Sequence, residues 1–276
     1  MSWTAVVAAL DATEQFRSRV TVYSHPLAGR PIVWHVVSAL AAVAPPPRRI
    51  LVLHHDAAPP AVTSDVPGVE FRSVRRGDEA RALRAAVTSP GVTLLVDGAC
   101  PLLSATTHAR LLRAADAGLA ALAGAEDHAP IIAAVGEGPA LASADDPRHP
   151  VGAARVGPPE PDELRRVVDR HSLAQAAAAM RDRVVRRHER AGATFLLPET
   201  CLVDVDVEVG ADSVIYPGVV LEGATKVGAE CVIGPYSRVV ESSVGRGAEL
   251  KGWNYVSRTS IRNHAVLEAY ERRGLD

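Results

Sequence analysis

The chain has 276 residues, enough for two compact units, and its 30 Lys and Arg nearly balance 32 Asp and Glu. The resulting net charge of −2 excludes a global basic field that would recruit nucleic acid or a membrane surface, and no apolar run is long enough to span a bilayer. Cys100, Cys201 and Cys231 are too few and too scattered for a disulfide framework or a zinc site, so they point to a reduced, cytoplasmic setting.

In chain order, Met1 to Leu10 is apolar but lacks a basic flank and runs into Asp11 and Glu14, so it does not read as a signal peptide. Ala5 to Leu10 is a short apolar run typical of a buried parallel strand. Pro31 suits the first position of a helix whose buried face is Ile32, Val33, Val36, Val37 and Leu40, ended by Pro45 to Pro47. Ile50 to Leu53 and Val69 to Val74 are the next strands, and Glu79 to Val87 is helical. Val92 to Val96 is a fourth strand ending at Asp97, and Ser104 caps a helix carrying Leu111, Leu112 and Leu119. Ala129 to Val135 is a fifth strand. Such alternation predicts a mostly parallel sheet with right-handed crossovers, where ligands bind at the carboxyl ends of strands. The loops after Leu10, Val74 and Val96 are therefore where chemistry is expected. Residues 136–161, rich in Gly, Pro, Ala and Asp, read as an irregular connection. Asp162 to Arg190 reads as one long helix with a basic end, stopped by Gly192.

A six-residue repeat follows. Aliphatic residues recur at Val203, Val209, Ile215, Leu221, Val227, Ile233 and Val239; five-residue steps then lead to Val244 and, after Leu250 and Val256, to Ile261 and Leu267. Small or compact residues fall four positions later, among them Ser213, Thr225, Cys231, Ser237, Ala248 and Asn254. Six residues make one short strand and a tight turn, and three units close a triangular coil that stacks at the strand spacing of ~4.8 Å. About twelve units predict roughly four coils of a left-handed parallel β-helix, each aliphatic stacking on the one a coil later. Trp253 and Tyr255 flank a corner as outward contact residues, and His264 falls at a turn. Glu268 to Asp276 reads as a charged cap on the open edge. The predicted organisation is an α/β sheet domain over 1–160, an arm helix over 161–192 and the hexapeptide-repeat β-helix with its cap over 193–276.

The segments Asp204-Val205-Asp206-Val207-Glu208-Val209-Gly210, Ser213-Val214-Ile215-Tyr216-Pro217-Gly218 and Cys231-Val232-Ile233-Gly234-Pro235-Tyr236-Ser237 closely resemble the first coils of the bifunctional N-acetylglucosamine-1-phosphate uridyltransferase/glucosamine-1-phosphate acetyltransferase family. The resemblance covers about the last ninety residues, arm included. Ala5-Val6-Val7 and His25-Pro26-Leu27-Ala28-Gly29-Arg30-Pro31 are similar to the opening of that family's uridyltransferase domain. Val96-Asp97-Gly98-Ala99-Cys100-Pro101-Leu102 is similar both to it and to the methylerythritol phosphate cytidylyltransferases. The resemblance implies a nucleotidyltransferase-like (Rossmann-like) sheet domain and a homotrimer built through the β-helix.

The resemblance also shows what is missing. The family's glycine-rich phosphate loop and its basic residues are replaced by Leu10-Asp11-Ala12-Thr13-Glu14-Gln15-Phe16. Glycines let backbone amides approach phosphate; Asp11 and Glu14 instead add negative charge, and two unit charges ~5 Å apart repel by roughly 3 kcal/mol at an effective dielectric of 20. Arg17, Arg19 and Arg30 are the nearby candidates for nucleotide binding. The metal aspartate falls on Ala99 in the uridyltransferase register and on Asp97 in the cytidylyltransferase register, while the second ligand, an asparagine, corresponds to Val168, with Asp169 next door. Asp97 and Asp169 are thus the metal candidates, and magnesium is the cofactor expected if the chain is active. The family's acetyltransferase residues lie on later coils, so that activity is not expected. Joint loss of groups that act together removes nearly all rate. The expectation is a trimeric binding or scaffold protein with a degraded site, taking a nucleotide, a sugar phosphate or an active relative; the alternative is an active sugar- or alditol-phosphate nucleotidyltransferase using Asp97 and magnesium.

Overall fold

The computed structural model describes residues 2–10, 16–55, 66–88, 91–122, 133–143, 147, 152–157 and 160–274. Residues 11–15, in the stretch that replaces the phosphate loop, and residues 129–132 of the predicted fifth strand lie outside them. The chain divides into two compact units, one of residues 1–26 and 31–176, the other of residues 27–30 and 177–276.

The first unit is a seven-stranded sheet formed by β1 (Trp3–Ala9), β2 (Ile50–His54), β3 (Val69–Ser73), β4 (Val92–Asp97), β5 (Ala120–Leu122), β6 (Ala133–Glu137) and β7 (Ala154–Val156). Its spatial order is 3-2-1-4-6-5-7. β1 is an interior strand, parallel to its neighbours β2 and β4, with Ala5 opposite Ile50 and Ala8 opposite Asp97. The helices are α1 (Ile32–Ala41), α2 (Glu79–Val87), α3 (Ala105–Ala114) and α4 (Gly138–Ala142). Because strand side chains alternate between faces, Val6, Ala8, Leu51, Leu53 and Leu95 meet Leu83, Val87 and Leu141 of α2 and α4 in one core. α1 packs on β1 and on α3, burying the predicted set Ile32, Val33, Val36, Val37 and Leu40 completely.

Five sequence expectations change in the sheet unit and the arm. Pro31 is the N-cap of α1 rather than its first residue. The helix capped by Ser104, whose Oγ accepts the Thr107 N–H at 3.2 Å, ends at Ala114; Gly118, at φ 128°, turns the chain, and Leu119 leads into β5 instead of lying on the helix. β6 runs antiparallel to β4, because a third short strand, Ala120-Ala121-Leu122, intervenes. The stretch 136–161 read as irregular contributes α4 and β7. The arm helix is shorter than predicted: a 3-10 turn (Pro161–Leu164) and non-helical residues 165–168 precede α5 (Arg170–Arg190). This non-helical piece is held by tertiary bonds that outweigh its helical pattern. Val167 is fully buried and its N–H donates to Ala99 O at 2.8 Å, and Asp169 then starts the helix by accepting the Ser172 N–H at 2.7 Å. The division between units falls within α5, after Ala176.

The second unit is a left-handed parallel β-helix of three sheets. Its first face stacks residues 194–195, 214–215, 232–233, 249–250 and 266–267; its second 202–203, 220–222, 238–240, 255–257 and 272–274; its third 208–209, 226–227, 243–244 and 260–261. Every predicted inward aliphatic from Val203 to Leu267 is buried, and Ile215, Ile233 and Leu250 stack in register. Ser213, Thr225, Cys231, Ser237 and Ala248 are wholly buried beside them. Outside, opposite charges meet one coil apart, as in Glu208–Lys226 at 3.0 Å, Glu241–Arg258 at 2.8 Å and Lys251–Glu268 at 2.8 Å. The predicted cap is instead a further strand, since Arg272–Gly274 pairs with Tyr255–Ser257 and Arg272 lies 5.3 Å over the Tyr255 ring. The Leu27–Arg30 turn belongs to this unit; the Val205 N–H donates to Ala28 O at 3.1 Å. Gly29 is required there, for a Cβ would lie 2.6 Å from Asp204 Cγ. No helix among the described residues is long and apolar enough to cross a membrane.

Candidate functional site

The carboxyl end of β4 is the place to which the sheet leads. There Asp97 ends the strand beside Ala8 of β1, and Gly98 packs so closely that an added Cβ would lie 3.2 Å from Ala8 O. Both carboxylate oxygens of Asp97 are engaged: Oδ1 accepts the Ala99 N–H at 2.8 Å and Oδ2 accepts Arg166 Nε at 2.5 Å. The side chains of this ion pair are 19% and 27% exposed. Burial pulls the Arg166 guanidinium below its ordinary value, yet a guanidinium keeps its proton in proteins. Beneath the turn, Cys100 is fully buried; its thiol is pushed well up by burial and by the Asp97 charge, so it is no nucleophile.

The other predicted residues are spread out. Asp169 lies two residues beyond Val167, but its Oδ1 accepts both the Ser172 N–H at 2.7 Å and Ser172 Oγ at 2.6 Å, and these bonds hold its acid below the usual carboxylate range. Arg17 and Arg19 are exposed on the segment after Phe16, Arg17 at φ 48°. Arg30 sits in the other unit, its Nε on Asp206 Oδ2 at 2.5 Å. A cation and two rings do assemble near the start of α5. Arg170 Cζ lies 5.3 Å over Phe16, whose ring centroid is 4.4 Å from that of His25. Burial, then Arg170, lowers the His25 pKa. Arg166 and Arg170 were not among the site residues singled out from the sequence, because residues 162–190 read as one helix.

Magnesium takes hard oxygen donors in octahedral array. The donors here do not fit it: each oxygen of Asp97 is engaged, one by a guanidinium and one by a backbone amide, Asp169 caps a helix, and Val168 offers no oxygen from its side chain. Among the described residues no group of three His, Cys, Asp or Glu is placed to hold a metal ion.

The fold and the position of this edge define a nucleotidyltransferase-like α/β unit joined to a hexapeptide-repeat β-helix. The chain superposes on a nucleotidyl transferase from Methanothermobacter thermautotroptrophicus with a TM-score of 0.51 and 20% identity, over 67% of this chain and 99% of that one. In sequence the chain is similar to bifunctional GlmU proteins. It is 37% identical over 108 residues to that of Caldanaerobacter subterraneus subsp. tengcongensis (39% of this chain, 23% of the relative). It is 38% identical over 126 residues to that of Acetivibrio thermocellus (45% and 27%). The chain thus spans about a quarter of the length of the curated relatives it matches. No protein-family model matches it.

Proposed function

We propose that this chain is a binding or scaffolding protein on a nucleotidyltransferase fold, with transferase activity lost or nearly lost, that assembles as a homotrimer through its β-helix. The observation that carries the loss of activity is the commitment of Asp97 to Arg166 and to the Ala99 amide at the strand end where a catalytic metal would be held. A nucleotide or sugar phosphate is the ligand class that the fold resemblance supports, and an active relative is the protein partner it supports. The three cysteines, all buried and free, suit a reducing compartment.

The trimer is supported by the one-sidedness of the β-helix surface. Leu196, Leu197, Leu202, Tyr216, Tyr236, Trp253, Val266 and Tyr270 are all large, apolar or aromatic, and exposed. Each lies on the first face, the second face or the corner between them, whereas the third face presents Glu208, Lys226, Ser243 and Ser260. At the shared corner Tyr236, Trp253 and Tyr270 stack at 5.7 and 5.4 Å between ring centroids. Contiguous exposed apolar surface of this kind marks an association site, and a closed cyclic assembly covers it on every copy.

Pyrophosphate release from each of the four nucleoside triphosphates, with sugar phosphates and magnesium, tests the first half of the proposal. The expected result is no turnover above background; turnover that disappears in Asp97→Ala overturns it. Sedimentation velocity tests the second half, with a trimer expected for the wild type and dissociation for Trp253→Glu; a wild-type monomer refutes it.

A further inference from the structure

We propose that Arg166 is a built-in replacement for a divalent cation at Asp97, so that the carboxyl edge of this sheet operates without metal. The geometry of the pair is that of a fixed counter-ion. Arg166 Nε meets Asp97 Oδ2 at 2.5 Å, and the remaining oxygen, Oδ1, is turned to the Ala99 amide at 2.8 Å. A cation entering from solvent would have to share oxygens already bonded to an amide and a guanidinium, and stand beside a guanidinium of its own sign. The pair has no net charge, so Asp97 presents little field to attract one.

Arg166 is also held in place from both sides. Its neighbour Val167 is fully buried and bonded through its N–H to Ala99 O, which ties the backbone next to Arg166 to the same turn that Asp97 begins. Its other neighbour, Arg165, is held by Asp162 at 2.9 Å and by Gln175 at 2.6 Å. The backbone that carries Arg166 is therefore fixed on both sides, which holds the base of its side chain beside the Asp97 turn. The second acid in reach along the chain, Asp169, has its Oδ1 on Ser172 and the start of α5. What a metal would supply, positive charge beside the strand-end carboxylate, is present in the chain itself. A planar, permanently charged guanidinium suits this role, with fixed donors where a metal would need several oxygen ligands.

This inference rests on reading the sheet as nucleotidyltransferase-like, but not on the trimer or on absence of turnover, and its test separates it from both. Manganese(II) alone is titrated into the full chain, wild type and Asp97→Asn, with free ion followed by electron paramagnetic resonance. The expected result is no saturable uptake that depends on Asp97; a saturable site in the wild type that Asp97→Asn abolishes overturns the proposal. A thermal cycle in EDTA supplies the positive arm. Arg166→Met is expected to lower Tm by several degrees, because it strands a half-buried carboxylate, and Asp97→Asn in the same chain is expected to recover most of that loss. Purely additive effects of the two substitutions would show that the pair is not coupled and would refute it. Should Arg166→Met fail to fold, the manganese comparison still decides, as it needs only the wild type and Asp97→Asn.

Discussion

His108 makes the first unit sensitive to acid by an amount that can be worked out. It lies on α3, wholly buried, and burial pushes its pKa down to about 4. In the unfolded chain a histidine titrates near 6.5. Between these values the unfolded state binds a proton that the folded state refuses, so stability falls as pH falls. Above about pH 7 the ring is neutral in both states and contributes nothing; below about pH 4 the loss is complete. At about pH 5 the difference in proton binding amounts to about 2 kcal/mol, rising to a limit of about 3.4 kcal/mol. The perturbation is a drop from pH 7.5 to 5 in the wild type and in His108→Leu, which keeps a buried side chain of similar bulk but cannot titrate. Urea unfolding at both pH values gives the stabilities. The wild type should lose about 2 kcal/mol more than the variant, a shift of about 4–8 °C in Tm for a unit of this size. Equal losses in the two proteins would refute the reasoning, since other acid-sensitive groups, including His188 and the carboxylates, are common to both.

Two substitutions probe the β-helix. Ile233→Ala removes a fully buried side chain stacked between Ile215 and Leu250, and the cavity should cost about 2–5 kcal/mol; thermal unfolding followed by circular dichroism measures it, and a loss under about 1 kcal/mol would show that the coil collapses to fill the space. Gly234→Ala tests close coil stacking: its Cβ would stand 2.4 Å from the backbone oxygen of Leu250, whereas a Cβ at Gly68, at φ +74°, meets nothing. Gly234→Ala should therefore lower Tm more than Gly68→Ala, which carries only the left-handed backbone cost of about 1–2 kcal/mol.

The β-helix was legible because its signal is repeated. A single aliphatic such as Val227 is compatible with many folds, but twelve inward aliphatics at steps of six and five leave one register in which all can be buried. The shortening to five before Val244 and Ile261 was also readable, and it appears as pairing across seventeen residues, Val227 to Val244 and then to Ile261. The central strands β1, β2 and β4 were legible as unbroken apolar runs, as expected of parallel strands buried on both faces. β5 was not, because Ala-Ala-Leu carries no strand preference and is three residues long; it exists because β6 supplies a partner edge. Arg272–Gly274 was missed for the same reason: an all-exposed strand is recruited by the coil above it rather than by its own pattern.

The site was less legible than the fold, and the reason lies in the kind of interaction that forms it. Alignment by motif placed Asp97 at a strand's end, and the structure puts it there; but what an acid does is decided by what faces it. Arg166 is 69 residues away, in a segment whose Val167 and Val168 suit a helix as well as an extended strip. The choice between those conformations is made by the burial of Val167 and its bond to Ala99, long-range terms that no local propensity contains. Had residues 165–168 been helical, the backbone N–H of Val167 would have been turned into its own helix and its bond to Ala99 lost, taking from Arg166 the anchor that sets it beside Asp97. The conformation of four residues thus separates a carboxylate open to a cation from one already provided with its own.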